Sequence, residues 1–162
     1  GKGIDNVAVA YLDPENVKVC LRAGVGSTVK LTVGGKADEP MEITGEVHNI
    51  QDGKFENPIL RDRIDLHSFF MGNTVTLKVG KDDLIFTSRV CQFNFLDDWR
   101  HCNVEPTAKR VVCIKSPVHY REHFEPVSRK VIDVETPGLS SPNFDKYTWE
   151  GTRRPIYPLD RI

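Results

Sequence analysis

The run Asn6-Val7-Ala8-Val9-Ala10-Tyr11-Leu12 suits a buried strand, and Asp13-Pro14-Glu15 follows it with no spacer. Asp13 is placed to cap a helix and Pro14 to occupy its first turn. Val17, Leu21 and Cys20 are its expected inner face, and Gly24 its stop. Thr28–Val33 then alternates apolar and polar residues, as a strand with one buried face does. A strand, a helix and a strand within the first 33 residues constrain the fold to an α/β unit.

Met41–Gln51 alternates again through Ile43, Val47 and Ile50, and Asp52-Gly53 predicts a hairpin into Lys54-Phe55. Glu56–Phe70 lacks a period and reads as an ordered loop. Thr74–Val79 and Leu84–Ser88 form an expected second hairpin around Gly80-Lys81-Asp82-Asp83. Asp97–Arg100 reads as a short helix, and Arg110–Lys115 gives the strongest buried-strand signal. Ser116-Pro117 is expected to cap a helix running to about Glu125. Lys130–Val134 reads as another short strand, and an irregular Pro-, Gly- and Ser-rich tail begins at Thr136. With no repeat, low-complexity tract or clear linker, the expectation is one α/β domain over residues 1–162. Its sheet is mixed, with antiparallel hairpins, and its helices are few and short. A chain of 162 residues buries roughly two-thirds of its unfolded surface, enough for a core without staples.

Lys plus Arg is 22 and Asp plus Glu is 23, so the formal charge is −1. That balance speaks against a nucleic-acid binder and against a polybasic membrane-surface protein. No apolar run reaches the length of a membrane span. No basic start leads into an apolar secretory segment, so a cytoplasmic location is expected. The Gly1-Lys2-Gly3 start, with no Met, is expected for a fragment or a processed product. Cys20, Cys91, Cys102 and Cys113 form no C-x-x-C pair, and reduced, mostly buried thiols are expected. His101-Cys102 has no spacing that supports a Cys–His site.

Three local patterns suggest chemistry. His119-Tyr120-Arg121-Glu122-His123 fits H-x-x-E-H, which on a helix puts His119 and His123 on one face for a zinc, with Glu122 as base. It needs a third ligand on a second helix, which nothing downstream supplies, and the alternative is a solvated helix face. Lys115-Ser116 closes an expected strand and opens an expected helix, where α/β sheets collect anions; otherwise Lys115 only snorkels and Ser116 only caps. Ser88-Arg89 ends an apolar strand and can clamp a carboxylate, or make an ordinary surface ion pair. Gly24-Val25-Gly26-Ser27 follows a helix instead of opening one, so it is a helix stop and not a phosphate loop. The neutral charge and Pro density of Trp149 and Arg153–Pro158 point to a packed, extended tail.

The segment Lys115-Ser116-Pro117-Val118-His119-Tyr120-Arg121, followed by Phe124 and Pro126, resembles the K-S-x-x-H-[FY]-R pattern of microcystinase C-like (MlrC-type) proteins. Pro137-Gly138-Leu139 and Arg153-Arg154-Pro155-Ile156-Tyr157-Pro158-Leu159-Asp160 are similar to that family's C-terminal ending. Ala23-Gly24-Val25-Gly26, Gly34-Gly35-Lys36 and Thr87-Ser88-Arg89 fall in the expected order. The resemblance spans essentially the whole chain and is to the family's C-terminal domain.

It implies a two-domain zinc-dependent hydrolase classed as a metallopeptidase of linear peptides. The zinc is expected mainly in an N-terminal catalytic domain, the implied partner, and none is expected in this chain alone. Lys115 and His119 carry over as catalytic candidates, and Ser116, Arg121, Ser88 and Arg89 as substrate-binding candidates. The substrate implied is a peptide or other small amide. The family pattern asks for neither Glu122 nor His123. Two other readings stay open, a non-catalytic small-molecule or subunit-binding module and a free-standing zinc enzyme using residues 119–123. Homo-oligomerisation also stays open.

Overall fold

A computed structural model of the protein describes residues 3–36, 39–57, 69–136 and 143–160. Pro137-Gly138-Leu139, Gly1-Lys2 and most of the aperiodic Glu56–Phe70 stretch lie outside the described residues. The chain divides into two compact units, Gly1–Val33 with Met41–Val131 and Gly34–Pro40 with Ile132–Ile162.

The first unit is built on a six-stranded mixed sheet. Its strands are β1 (Val7–Leu12), β2 (Thr28–Val33), β3 (Met41–Gln51), β6 (Thr74–Val79), β7 (Asp82–Thr87) and β8 (Val111–Cys113), in the spatial order β2-β3-β6-β7-β1-β8. Between β3 and β6 lie β4 (Lys54–Phe55) and β5 (Phe69–Phe70), which pair only with each other. β1 runs parallel to both β7 and β8, and the other pairings are antiparallel. The sheet therefore points β1, β3, β7 and β8 one way and β2 and β6 the other.

Both faces are covered, which is why β6 and β7 are buried along most of their lengths instead of alternating. Helix α1 (Pro14–Ala23) lays Val17 and Cys20 on one face, against Leu31, Val47, Leu77 and Phe86. Asp13 accepts from the Asn16 N–H and Gly24 closes the helix, as its sequence signals require. Leu21 is 36% exposed, so the inner stripe is Val17 and Cys20 without it. On the other face Ala8, Met71, Ile85, Phe93, Trp99, Cys102, Val104, Tyr120 and Phe124 form a second core. Helix α2 (Leu96–His101) delivers Trp99 to its centre.

β2 and β3 occupy the ranges that their alternation predicts. Four expectations need correction. Asp52-Gly53 makes no hairpin, because β3 pairs with β2 and β6 while β4 turns away to β5. The second hairpin turns on Gly80-Lys81 alone, with Val79 opposite Asp82. The Arg110–Lys115 run yields only three strand residues, and they form the sheet's edge, with Val111 and Cys113 exposed. Lys130–Val134 is not a strand, and Ile132 and Val134 are exposed. Cys20 and Cys102 are buried and Cys91 is half-buried, all four thiols being free.

The second unit is small and irregular. Its 3-10 turn at Phe144–Lys146 packs Phe144 and Tyr147 around Trp149, whose indole N–H donates to the Phe144 carbonyl at 2.8 Å. Asp160 accepts from the Arg154 guanidinium and the Ile156 N–H, which holds its carboxyl down at about 2. The peptide bonds before Pro155 and Pro158 are cis.

α2 carries a buried carboxylate. Asp98 accepts from the Phe95 N–H at 2.9 Å and is fully enclosed. Burial pushes its carboxyl up to about 7, against the pull of hydrogen bonds from Phe95, Asn57 and Asn94. An unfolded Asp titrates near 3.9, so between about pH 4 and pH 7 the folded chain holds a proton that the unfolded chain has released. Stability from this group falls as pH rises through that window and is level above it. Asp98→Asn keeps an acceptor for the Phe95 N–H and is expected to flatten that slope in urea midpoints measured from pH 4 to pH 8. An unchanged slope would show that Asp98 is ionised in the fold.

Candidate functional site at the carboxyl ends of the parallel strands

The register aligns Gln51 with Thr74, Thr74 with Thr87, and Thr87 with Leu12 across four adjacent strands. The residues just beyond that row therefore share one end of the sheet: Asp52-Gly53-Lys54, Gly72-Asn73, Ser88-Arg89 and Asp13. The Asp13 N–H bonds the Thr87 carbonyl at 3.0 Å and ties β1 to β7 there. β8 pairs Cys113 with Val9, and the chain runs on through Ile114, Lys115 and Ser116 toward the same end.

The connections part at this end. From β1 the chain passes to α1 on one face, and from β7 it passes to α2 on the other. Adjacent parallel strands whose connections part to opposite faces leave an opening at their carboxyl ends, where open α/β sheets bind ligands.

Ser88 and Arg89 sit at the end of β7. The Ser88 N–H donates to Asn73 and the Arg89 N–H to Met71, at 3.0 and 3.1 Å. The Arg89 guanidinium lies 4.8 Å from the centre of the Phe70 ring and pairs with no carboxylate among the described residues. Lys115 and His119 are exposed and likewise unpaired among the described residues. The Ser116 hydroxyl is enclosed and makes no hydrogen bond. Arg121 is engaged, with its guanidinium 2.6 Å from Glu125 and 5.3 Å from the centre of the Tyr120 ring. Ser88 and Arg89 thus follow β7, and Lys115 and Ser116 follow β8, whose last residue, Cys113, pairs with Val9 and not with the end of β1.

The helix expected from Ser116 to Glu125 is only Arg121–Phe124, here α3, with Tyr120 and not Ser116 at its cap position. Lys115 therefore does not face a helix N-terminus, and His119 precedes the helix. The shared helical face that H-x-x-E-H requires is absent. His123 instead packs its ring on Phe95 at 4.6 Å. Among the described residues no group of three or more His, Cys, Asp or Glu side chains could hold a metal ion.

The opposite end of the sheet contrasts with this one. An open cleft of about 620 Å³ there is lined by Asp5, Asn6, Lys78, Gly80, Lys81, Lys109 and Arg110. Its four cations already have carboxylates: Lys78 and Lys109 hold the buried Asp83, and Lys81 and Arg110 hold Asp5. At the other end Lys54 and Arg89 pair with no carboxylate among the described residues. Sequence reasoning missed two members of that end, Lys54 and Phe70. They meet through β4–β5 pairing across an aperiodic stretch, for which no local pattern exists.

The family described as MlrC C-terminus matches residues 2–151. Microcystinase C of Sphingomonas sp is 28% identical over 154 residues, covering 93% of this chain and 28% of that protein. The crystal structure of a candidate metallopeptidase from Mesorhizobium sp. BNC1 superposes with a TM-score of 0.81 at 24% identity, over 99% of this chain and 33% of that one. The chain thus spans under a third of the curated relative it matches, and the solved structure shares its fold. No helix among the described residues is long and apolar enough to cross a membrane.

Proposed function

Because the chain belongs to the MlrC C-terminus family, we propose that it is the substrate-side domain of a zinc-dependent hydrolase that cleaves linear peptides. A zinc held mainly by a preceding catalytic region would supply Lewis-acid polarisation of the scissile carbonyl when bound. The observation that carries the reading is that Arg89 and Lys115, each two residues past a strand of the parallel set, have no ion pairs among the described residues. Their chemistry is to hold a substrate carboxylate, Arg89 through paired N–H donors and Lys115 as a point charge. The Ser88 hydroxyl adds a donor next to Arg89, whereas the enclosed Ser116 hydroxyl is not open to a ligand. His119 presents an imidazole that can accept a hydrogen bond at one nitrogen and donate at the other, as alignment of an amide or its developing charge requires.

Reconstitution tests the reading. The chain alone is expected to cleave no linear peptide, and co-expression with the preceding region of the parent protein to restore cleavage with zinc bound to that region. Cleavage by the chain alone, or zinc bound by it, would overturn the proposal. An association without hydrolysis would also overturn it and favour a binding module.

A further inference from the structure

We propose that Lys54, Phe70 and Arg89 form a subsite for a carboxylate carried next to an apolar side chain, such as the C-terminal residue of a peptide. The proposal deepens the hydrolase reading and rests on it for the identity of the ligand as substrate. Phe70 is 42% exposed, although it stands directly opposite Lys54 in the β4–β5 pair. The Lys54 ammonium is 5.6 Å and the Arg89 guanidinium 4.8 Å from the centre of this one ring. The two charges are therefore no farther apart than the sum of those distances, and neither pairs with a carboxylate among the described residues. Two cations that lack carboxylate partners and contact one ring jointly attract an anion. The ring beneath supplies an apolar floor for whatever group adjoins that anion.

The backbone behind the three side chains is built to close tolerances. The Met71 N–H donates to the Gly53 carbonyl at 2.8 Å, and the Arg89 N–H to the Met71 carbonyl. A Cβ on Gly72 would fall 2.3 Å from the Ser88 hydroxyl oxygen and 2.8 Å from Arg89 Cγ. Three chain segments therefore meet with no room for a side chain between them.

NMR titration of the chain with N-acetyl-leucine, N-acetyl-leucinamide and acetate tests the subsite without any cleavage. N-acetyl-leucine is expected to shift the Phe70 and Arg89 resonances and to bind at least ten-fold more tightly than either the neutral amide or acetate. Arg89→Gln and Lys54→Gln are each expected to weaken it at least ten-fold. Phe70→Ala is expected to bring its affinity down to that of acetate, and Arg110→Gln at the opposite cleft to change nothing. Equal binding of acid and amide would overturn the subsite, as would equal binding of acid and acetate or an Arg110→Gln loss as large as that of Arg89→Gln. Binding as predicted, beside a reconstituted protein that cleaves no peptide, would refute the hydrolase reading and leave the subsite standing. Cleavage without this binding would do the reverse.

Discussion

Gly53→Ala is expected to lower stability by roughly 3 kcal/mol or more, read as a fall in the urea midpoint. The added Cβ would fall 1.9 Å from the Gly72 carbonyl oxygen, a backbone atom that cannot swing aside, at a residue with φ of +70°. Relief requires that β4 and the Gly72 turn separate. That breaks the bond from the Met71 N–H to the Gly53 carbonyl and drags on Met71, which is fully buried in the second core. Gly80→Ala is the control. Its φ is +62°, but a Cβ there meets nothing within 4 Å, so only the left-handed backbone cost of about 1 kcal/mol remains. Equal losses in the two variants would mean that the Gly53–Gly72 approach is not constrained.

Trp99→Ala is expected to cost about 3–5 kcal/mol, which in a chain of this size lowers Tm by about 10 °C. Trp99 is fully buried and meets Phe93 edge-on at 5.1 Å and Phe124 at 6.5 Å. Its indole N–H donates to the Phe93 carbonyl at 3.3 Å. The same ring thus supports α2, the loop before it and α3, so its loss loosens everything between β7 and the end of α3. Calorimetry checks the value. A loss below 1 kcal/mol would mean that this face of the sheet collapses around the cavity.

The pattern of residues made some elements plain and hid others for physical reasons. β2 reads correctly because one of its faces is wet, so Thr28, Lys30 and Thr32 mark the exposed side and Val29, Leu31 and Val33 the buried one. α1 reads correctly because Asp13, Pro14 and Gly24 are local signals. The Val111–Ile114 run misleads because apolar content tells of burial, while position in the sheet is set by long-range pairing; β8 is an edge. The helix after Ser116 is short although Ser-Pro is a sound start signal, because the chain turns through 116–120 before Arg121 and meets Pro126 soon after. Ser88-Arg89 is legible as the residues just past an apolar strand, whereas Lys115, read as closing a strand, lies two residues beyond the end of β8. Phe70 and Lys54 carry no such signal, since only pairing across residues 56–68 puts them beside Arg89. The short helix around Asp98 is legible, but the full burial of its carboxylate carries no local signal, since the neighbours that enclose it come from tertiary packing.

The most direct test of the account is kcat/KM for a linear peptide in the longer parent protein, with zinc content measured on the same samples, for Lys115→Ala, His119→Ala and Arg110→Ala. The account predicts losses of about 10- to 100-fold for the first two, in line with a charged hydrogen bond, with zinc unchanged, and no loss for Arg110→Ala at the opposite end of the sheet. Unchanged kinetics in Lys115→Ala and His119→Ala, or zinc lost from either, would contradict it.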